Sequence, residues 1–497
     1  MERKFNDQET NRRNKLKKLV EKGKDPFKNT KWIRNYNSLT FKEEFGKFTK
    51  EELHENKTEV ILAGRIMAVR QTFAVVKDFF GTAQIYLNKK TISPEIWETF
   101  NEDLDIGDIV GLKGTPMKTN TGEVTLNVVE LVILTKSLKV LPEKFHGLVN
   151  EEERSRQRYV DLIVNEQSLQ TFATRSRIAS VWRNYLTNEM GFFEVDTPVL
   201  QPIYGGASAK PFTTHMNALH RDFFLRVAPE LPLKKLIVGG FEKVFEFSRN
   251  FRNEGIDSTH NPEFTGFELY WAYVSLDEIM DITEKLFKIT AEALNKPVYN
   301  FRGFQIDLSK PFRRISMVDI IKEATNGEVD FNNVKSDAEA VELAKKHGIE
   351  LANHQNVTGH IITLFFEKYG EEKCIQPTFV HTYPAEVSPL TKKNPNNPKF
   401  TDRFELFIGG KEFGNAYSEL NDPIDQLERF EDQMKEKELG ADESWASEID
   451  MDFVNALEYG LPPTGGLGIG FDRFCMLFTE NDSIRNVLLF PHMKDEK

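Results

Sequence analysis

Phe251-Arg252-Asn253-Glu254-Gly255, followed by His260-Asn261-Pro262-Glu263-Phe264 and then Glu268-Leu269-Tyr270, is the stretch on which the reading of this sequence turns. An arginine and a carboxylate two positions apart on a strand project from one face, with Asn253 on the other. Such a face can hold a phosphate and a base amino group together, because a guanidinium offers a planar fork to phosphate or carboxylate oxygens. Taken alone, an Arg-x-Glu pair is more often a surface ion pair.

Two further blocks carry chemistry. In Gly465-Gly466-Leu467-Gly468-Ile469-Gly470-Phe471-Asp472-Arg473, glycines let backbone approach a flat ligand, and Arg473, opening the next helix, can cover it. The run lacks the spacing and βαβ setting of a dinucleotide fingerprint. The third block, Arg403-Phe404-Glu405-Leu406-Phe407-Ile408-Gly409-Gly410-Lys411-Glu412, continues through Phe413 to Asn421. Glu405 and Glu412 flank a Gly-Gly turn, so neighbouring strands would present them together. Paired carboxylates beside a triphosphate are natural Mg²⁺ ligands, since Mg²⁺ takes oxygen donors shared between protein and phosphates. Standing alone, they would be exposed acids on a hairpin.

Working outward, the chain has 497 residues, which suits two to four domains, and 39% hydrophobic content, which is ample for their cores. No apolar run approaches the ~18 residues that cross a bilayer. The start, Met1-Glu2-Arg3-Lys4-Phe5-Asn6-Asp7, has no apolar stretch, so no secretory signal is expected. Cys374 and Cys475 are the two cysteines, too few for a disulfide framework or a four-cysteine zinc site, and a cytoplasmic location follows. Net charge is −12, yet residues 1–31 hold eleven Lys or Arg against five acids. A basic arm on an acidic body suits attraction to phosphates; a solvated terminal helix that binds nothing has the same composition.

Four stretches separate along the chain. Residues 1–57 read as a basic helical extension. Residues 58–136 hold five short strands, Val60–Val69, Phe73–Val76, Ala83–Leu87, Ile109–Leu112 and Val124–Leu134, with a turn at Asn120-Thr121-Gly122-Glu123. That pattern fits a small barrel such as the OB-fold, which commonly holds single-stranded nucleic acid, or another small barrel or sandwich. Residues 137–155 read as a linker. From 156 to 497 helical patterns alternate with strands; Phe172, Ala179, Trp182, Tyr185 and Leu186 lie near helical spacing before a stop at Gly191. A helix-rich insertion is expected near 317–372, and Lys392–Lys399 reads as an exposed loop.

The three chemical blocks, in this order, resemble the motifs of class II aminoacyl-tRNA synthetases and, within them, the lysyl-tRNA synthetases. Phe192-Phe193-Glu194-Val195-Asp196-Thr197-Pro198 resembles motif 1, whose proline helps build the dimer interface in that class. The likeness extends through Arg226-Val227-Ala228-Pro229-Glu230-Leu231, Tyr383-Pro384-Ala385-Glu386-Val387-Ser388-Pro389-Leu390 and Ile484-Arg485-Asn486-Val487-Leu488-Leu489-Phe490-Pro491, covering residues 58 to 491. It implies an α+β fold: an N-terminal OB-fold β-barrel that binds the anticodon, and a class II catalytic domain with an antiparallel sheet flanked by helices, built as a homodimer. It implies ATP-dependent activation of L-lysine to lysyl-adenylate, with Mg²⁺, and transfer to the 3′ end of tRNA(Lys).

Roles carry over by position as implications of that likeness. Arg252 bridges the ATP α-phosphate and the substrate carboxylate. Glu254 meets the adenine amino group, with His260 near the outer phosphates and Asn261 and Gly470 in the ATP site. Phe264 and Arg473 sandwich the adenine; Glu405 and Glu412 match the Mg²⁺ ligands. Gly206 and Glu230 fall at the lysine α-amino group, and Arg252 and Asn415 at its carboxylate. Glu268, Tyr270 and Glu419 fall around the ε-amino group, with Tyr417 closing nearby. In the barrel, Phe73 aligns with an aromatic residue that stacks an anticodon base and Gln84 with a polar reader, and Arg65 and Arg70 are expected phosphate or base partners. Thr259 and Pro232 depart from the pattern, where many relatives carry an arginine and an aromatic residue.

Charge favours lysine over aspartate or asparagine, the neighbouring enzymes of the subclass. A buried ammonium needs carboxylate partners, and acids at these positions would repel an acidic substrate. A noncatalytic tRNA-binding protein on the same scaffold, or a ligase that places lysine on protein, are the readings from other classes. The intact arginine and glutamate positions speak against the first, and the barrel against the second.

Overall fold

The computed structural model describes residues 4–142, 148–207, 209–438 and 448–495. Arg3 of the basic arm and residues 143–147 of the expected linker lie outside the described residues. The chain divides into two compact units, 1–149 and 150–497.

In the first unit, β1 (Val60–Arg70), β2 (Phe73–Asp78), β3 (Gly81–Tyr86), β4 (Ile109–Lys118) and β5 (Val124–Thr135) close into a barrel in the order β1-β2-β3-β5-β4. Alternation decides which side chains fill it: Ala74, Val76, Ala83 and Ile85 are buried, and the residues between them are not. The N-terminal segment forms helices Asp7–Glu21, Ser38–Phe45 and Lys50–Glu55, capped by the side chains of Asn6, Asn37 and Thr49. Leu19, Phe41, Phe45 and Leu53 join the same apolar core as the barrel strands. The basic segment is therefore packed down, and part of its charge is structural. Arg12 is buried and donates to the carbonyls of Ser137, Lys139 and Ile106, each at 2.9 Å, while Lys15 pairs with Asp105 at 2.9 Å.

The second unit is built on one large sheet. Its strands are β6 (Phe193–Glu194), then a separate three-stranded sheet of β7 (Leu200–Gln201), β8 (Phe212–Met216) and β9 (Arg221–Leu225), then β10 (Lys243–Phe251) and β11 (Glu263–Ala272). A hairpin of β12 (Val298–Phe301) and β13 (Phe304–Asp307) precedes β14 (Arg313–Ser316), β15 (Thr378–Pro384), β16 (Phe400–Ile408), β17 (Lys411–Ser418) and β18 (Thr464–Gly470). The eight-stranded sheet runs β14-β15-β16-β17-β18-β11-β10-β6 and is antiparallel except at its two end pairs. The fold is thus α+β, an OB-fold barrel followed by an antiparallel-dominated sheet with helices.

One face of the sheet is packed by helices Glu166–Asn184, Leu276–Ala293 and Phe471–Phe478 around Trp182, Phe267, Phe287 and Phe474. Residues 317–372 form helices Met317–Ala324, Asp337–Lys346 and Thr358–Phe365 around a separate core that includes Ile320, Ile361 and Phe365. With the helices covering one face, the other face is left for chemistry.

Candidate active site

Strand β18, the glycine run, lies between β17 and β11. Register sets Asn415, Gly468 and Glu268 in one row across the three strands, and Tyr417, Gly466 and Tyr270 in the next. The central strand contributes no side chain on this face, so the flanking side chains wall a trough about two strand spacings wide, roughly 10 Å. On the opposite face Phe267, Leu269, Leu467 and Ile469 are buried in the helical core. Period-two alternation therefore separates a binding face from a packing face on the same strands. At Gly466 a Cβ would collide with the Glu419 carboxylate and the Tyr270 ring, so glycine there makes room for an acid.

The trough is a cavity of about 360 Å³. Every residue expected in the ATP and lysine sites lines it except Glu405. Glu230, Glu268 and Glu419 converge on it from a helix start, from β11 and from the end of β17, and Gly206 lies against Glu230. Tyr417 donates its hydroxyl to Glu230 Oε1 at 2.7 Å, and Tyr270 donates to Glu268 Oε2 at 3.0 Å. Burial, then the neighbouring charge of Glu230, push the Glu268 carboxyl up to about 8. Glu419 is 1% exposed, and its Oε1 has no hydrogen-bond partner among the described residues.

Two of these acids, Glu230 and Glu419, hold a cation that the sequence reading missed. Lys234, fully buried, places its Nζ 2.6 Å from Glu230 Oε1 and against Glu419 Oε2. The expected acids do line the cavity, and Lys234 sits behind two of them, outside that lining. The signal was present locally: Glu230 and Lys234 are four residues apart on helix Glu230–Val238, the spacing of a helical ion pair. The contact with Glu419 depends on tertiary folding.

Arg252 and Glu254 were expected on a strand, and this is a correction. Strand β10 ends at Phe251, and both residues lie in the irregular segment that follows. The Arg252 backbone N–H donates to Pro262 O at 2.8 Å, one step beyond the last β10–β11 pair, and both side chains line the cavity. The guanidinium lies 5.1 Å from the centre of the Phe264 ring, and its buried Nε has no partner among the described residues. Burial holds the Arg252 pKa below the usual arginine range, against the pull of Glu254 and Glu412. His260 Nδ1 lies 2.9 Å from Asp257 Oδ2, and the Thr259 hydroxyl donates to Asp257 Oδ1 at 2.9 Å. Asn261 is buried and donates to Glu263 O at 2.6 Å. Arg473 opens helix Phe471–Phe478 just after Gly470 and donates to the Glu412 carbonyl. Asp472 anchors that helix start by accepting from the Thr265 N–H at 2.8 Å and pairing with Arg175 at 2.5 Å.

The Gly409-Gly410 turn has φ of +60° and +68°, the left-handed pair that a two-residue hairpin requires. A register shift after Leu406 sets Glu405 opposite Asn415 and Phe407 opposite Glu412. Glu412 reaches the cavity, whereas Glu405 is set back and accepts from Arg403 at 2.6 Å. Burial and the charge of Glu412 push the Glu405 carboxyl up to about 7, against the pull of Arg403. Arg403, to which sequence gave no role, also donates to Asn415 Oδ1 at 3.0 Å. Among the described residues no group of three or more His, Cys, Asp or Glu side chains is arranged to hold a metal. Glu405 and Glu412 offer oxygen donors of the kind a hard cation takes when its remaining oxygens come from phosphates and water.

On the barrel, Phe73 and Gln84 fall on the outward rows of β2 and β3, away from the buried Ala74 and Ile85. The Phe73 ring packs 4.9 Å from Tyr86, its cross-strand partner, an aromatic companion the sequence reading did not name. Gln84 Oε1 accepts from Thr125 at 2.8 Å. Arg65 is half-buried and donates to Gly107 O at 2.7 Å, so part of its guanidinium serves the barrel backbone.

Comparison with known proteins decides the family. Residues 150–494 match the model for tRNA synthetases class II (D, K and N), and residues 60–134 match the OB-fold nucleic acid binding domain. The chain is 58% identical to a lysine--tRNA ligase of Ureaplasma parvum, 57% to that of Malacoplasma penetrans and 50% to that of Mycoplasma pneumoniae, covering 100% of both chains each time. The chain belongs to the lysine--tRNA ligases of class II. Membership explains why the two units occur together: a class II catalytic body paired with an oligonucleotide-binding barrel makes a ligase. In this synthetase the glycine run is the floor of the trough, and the acids on either side are its walls. No helix among the described residues is long and apolar enough to cross a membrane.

Proposed function

We infer that this enzyme activates L-lysine with ATP in the trough above β18 and transfers it to the 3′ end of tRNA(Lys). The observation that carries the reading is the convergence of Glu230, Glu268 and Glu419 beside the unpartnered Nε of Arg252. An ammonium at one end and anionic oxygens at the other describe an extended cationic amino acid lying next to a nucleotide phosphate.

In this reading Glu230, with the Gly206 backbone, receives the α-ammonium, and Glu268, Tyr270 and Glu419 receive the ε-ammonium, closed off by Tyr417. Arg252 and Asn415 hold the α-carboxylate, and Arg403 fixes Asn415. The carboxylate attacks the α-phosphorus and pyrophosphate leaves, so the enzyme needs no nucleophile of its own. Its work is to align the two anions and offset the charge that grows between them. Phe264 and Arg473 stack on adenine, Glu254 recognises its amino group, and His260 and Asn261 line the path of the outer phosphates. Glu405 and Glu412 would hold Mg²⁺, which when bound neutralises phosphate oxygens and draws charge toward the leaving pyrophosphate. Amino-acid-dependent ATP–pyrophosphate exchange across the twenty amino acids tests this directly. Lysine alone should support exchange; activation of aspartate or asparagine would overturn the reading.

The position of Glu268 gives a pH dependence. Its carboxyl faces Glu230, Glu246, Lys234 and Tyr270 and is raised to about 8, so near neutrality the free enzyme keeps a proton there. A bound ammonium needs the ionised form. As pH rises toward about 8 that proton is lost beforehand, and kcat/KM for lysine should climb by up to about tenfold per pH unit, then level off. Glu268→Gln should remove the slope. A wild-type profile that is flat from about pH 6 to 8 would remove Glu268 from the ε-ammonium site.

The outward Phe73–Tyr86 pair would stack an anticodon base of tRNA(Lys), with Gln84 beside it. Stacking on one aromatic contributes about 1–3 kcal/mol. Phe73→Ala should therefore raise the KM for tRNA by about 10-fold or more. Pyrophosphate exchange, which needs no tRNA, serves as the internal control. An unchanged KM would assign Phe73 to barrel packing.

Phe193 and Phe241 form an exposed edge-to-face pair, with ring centres 5.7 Å apart, beside the motif 1 segment. Exposed aromatics at the end of a sheet suit burial against a second copy, and we propose a homodimer on that edge. The buried, unpaired thiols of Cys374 and Cys475 suit the cytoplasm.

A further inference from the structure

Three carboxylates face the lysine trough, and one ammonium, Lys234, is sealed behind two of them. Its Nζ is 2.6 Å from Glu230 Oε1 and in contact with Glu419 Oε2, and it lies 5.5 Å from the Tyr417 ring and 5.8 Å from the Phe453 ring. The side chain is completely buried and lies outside the cavity lining, whereas both of its carboxylate partners lie within that lining. Tyr417 also donates to Glu230 Oε1, so that oxygen is used twice within the protein, while Glu419 Oε1 is left without a partner.

Counting charges gives this arrangement a meaning. With Glu230, Glu268 and Glu419 ionised the wall carries three negative charges, and Lys234 cancels one. The remaining two equal the two ammonium groups of free lysine, whose carboxylate has Arg252 and Asn415 as its own partners. A buried excess of either sign is costly, so a site matched to its ligand's charge should bind that ligand best.

We propose that Lys234 is a specificity-determining positioning residue, a permanent internal ammonium that fixes Glu230 and Glu419 and sets the trough's charge to that of a doubly cationic amino acid. It rests on the lysine-pocket reading above. Lys234 touches no substrate; it acts through the two carboxylates. Removing its charge leaves three acids crowding the empty site, where they take up protons or solvent cations that lysine must displace. Lys234→Met keeps most of the side-chain length and removes the charge.

The test compares Lys234→Met, Glu419→Gln and the double variant in ATP–pyrophosphate exchange, with KM for lysine and for ATP measured separately and folding followed by thermal melting. Lys234→Met should raise the lysine KM about 10-fold or more and leave the ATP KM within about twofold. The double variant restores the count of two negative charges and should therefore use lysine better than Glu419→Gln alone. A merely structural lysine would instead give losses that add. A double variant no better than Glu419→Gln overturns the proposal. So does a double variant that fails to fold, because packing rather than charge would then be what Lys234 supplies. If Lys234→Met alone does not fold, the comparison of the double variant with Glu419→Gln decides. Should Glu419→Gln leave the lysine KM unchanged, the pocket reading itself fails; should it raise that KM while Lys234→Met does not, only the present inference does.

Discussion

Replacing Arg252 with alanine is expected to lower lysine-dependent pyrophosphate exchange by ~10²–10³-fold, the usual cost of removing one preorganised donor from a developing anion. The folded enzyme should lose little. The guanidinium lies 5.1 Å from the centre of the Phe264 ring, its buried Nε bonds to nothing among the described residues, and burial already disfavours its charge. A cation held this way is poised for anionic ligands rather than for stabilising the fold, because an unpaired buried donor costs free energy until a ligand satisfies it. Arg252→Ala should therefore melt close to wild type, or slightly above it, while exchange collapses. Arg252→Lys restores the charge without the planar fork and should recover only a small part of the activity. Exchange within about tenfold of wild type for the alanine variant would mean that another group bridges the two anions.

Glu419→Gln should reduce kcat/KM for lysine by ~10²–10⁴-fold, since leaving one buried charge without its partner costs about 3–5 kcal/mol. ATP binding should be nearly untouched. Glu419 lies at the end of β17, while the expected nucleotide contacts Phe264, Gly470 and Arg473 belong to β11, β18 and the helix that follows. Glutamine keeps the shape that Gly466 accommodates, so the change isolates charge. The measurement is the KM for lysine and for ATP in the same exchange assay. An equal loss on both substrates would point to collapse of the trough rather than loss of an ammonium partner.

Much of this molecule is written locally. The five barrel strands are visible as period-two runs between Gly and Asn turns, and burial alternates along them as that period requires. The Gly409-Gly410 turn announces its hairpin because only glycine adopts two successive left-handed residues without strain. The residues expected in the ATP and lysine sites were picked out by motif likeness and joint acidity, and all but Glu405 line one cavity. Less visible was what each side chain does when no ligand is bound. Arg65 donates to a carbonyl across the barrel, and Arg403 ties Asn415 to Glu405, neither of which a short window of sequence encodes.

The sequence by itself determined the family and the kinds of side chain that line the trough, because those depend on residue identity and short-range periodicity. Only the tertiary structure decided the charge of the trough. Glu230 and Lys234 are neighbours on one helix, but Glu419 arrives from just past β17, and whether that ammonium answers one acid or two depends on the long-range contact. It likewise decided that Arg252 lies just past the end of its strand, tied by its backbone N–H to Pro262 O on the facing chain. Coulombic neutralisation falls off with distance in space rather than along the chain, and so it becomes readable only when the sheet has brought the strands together.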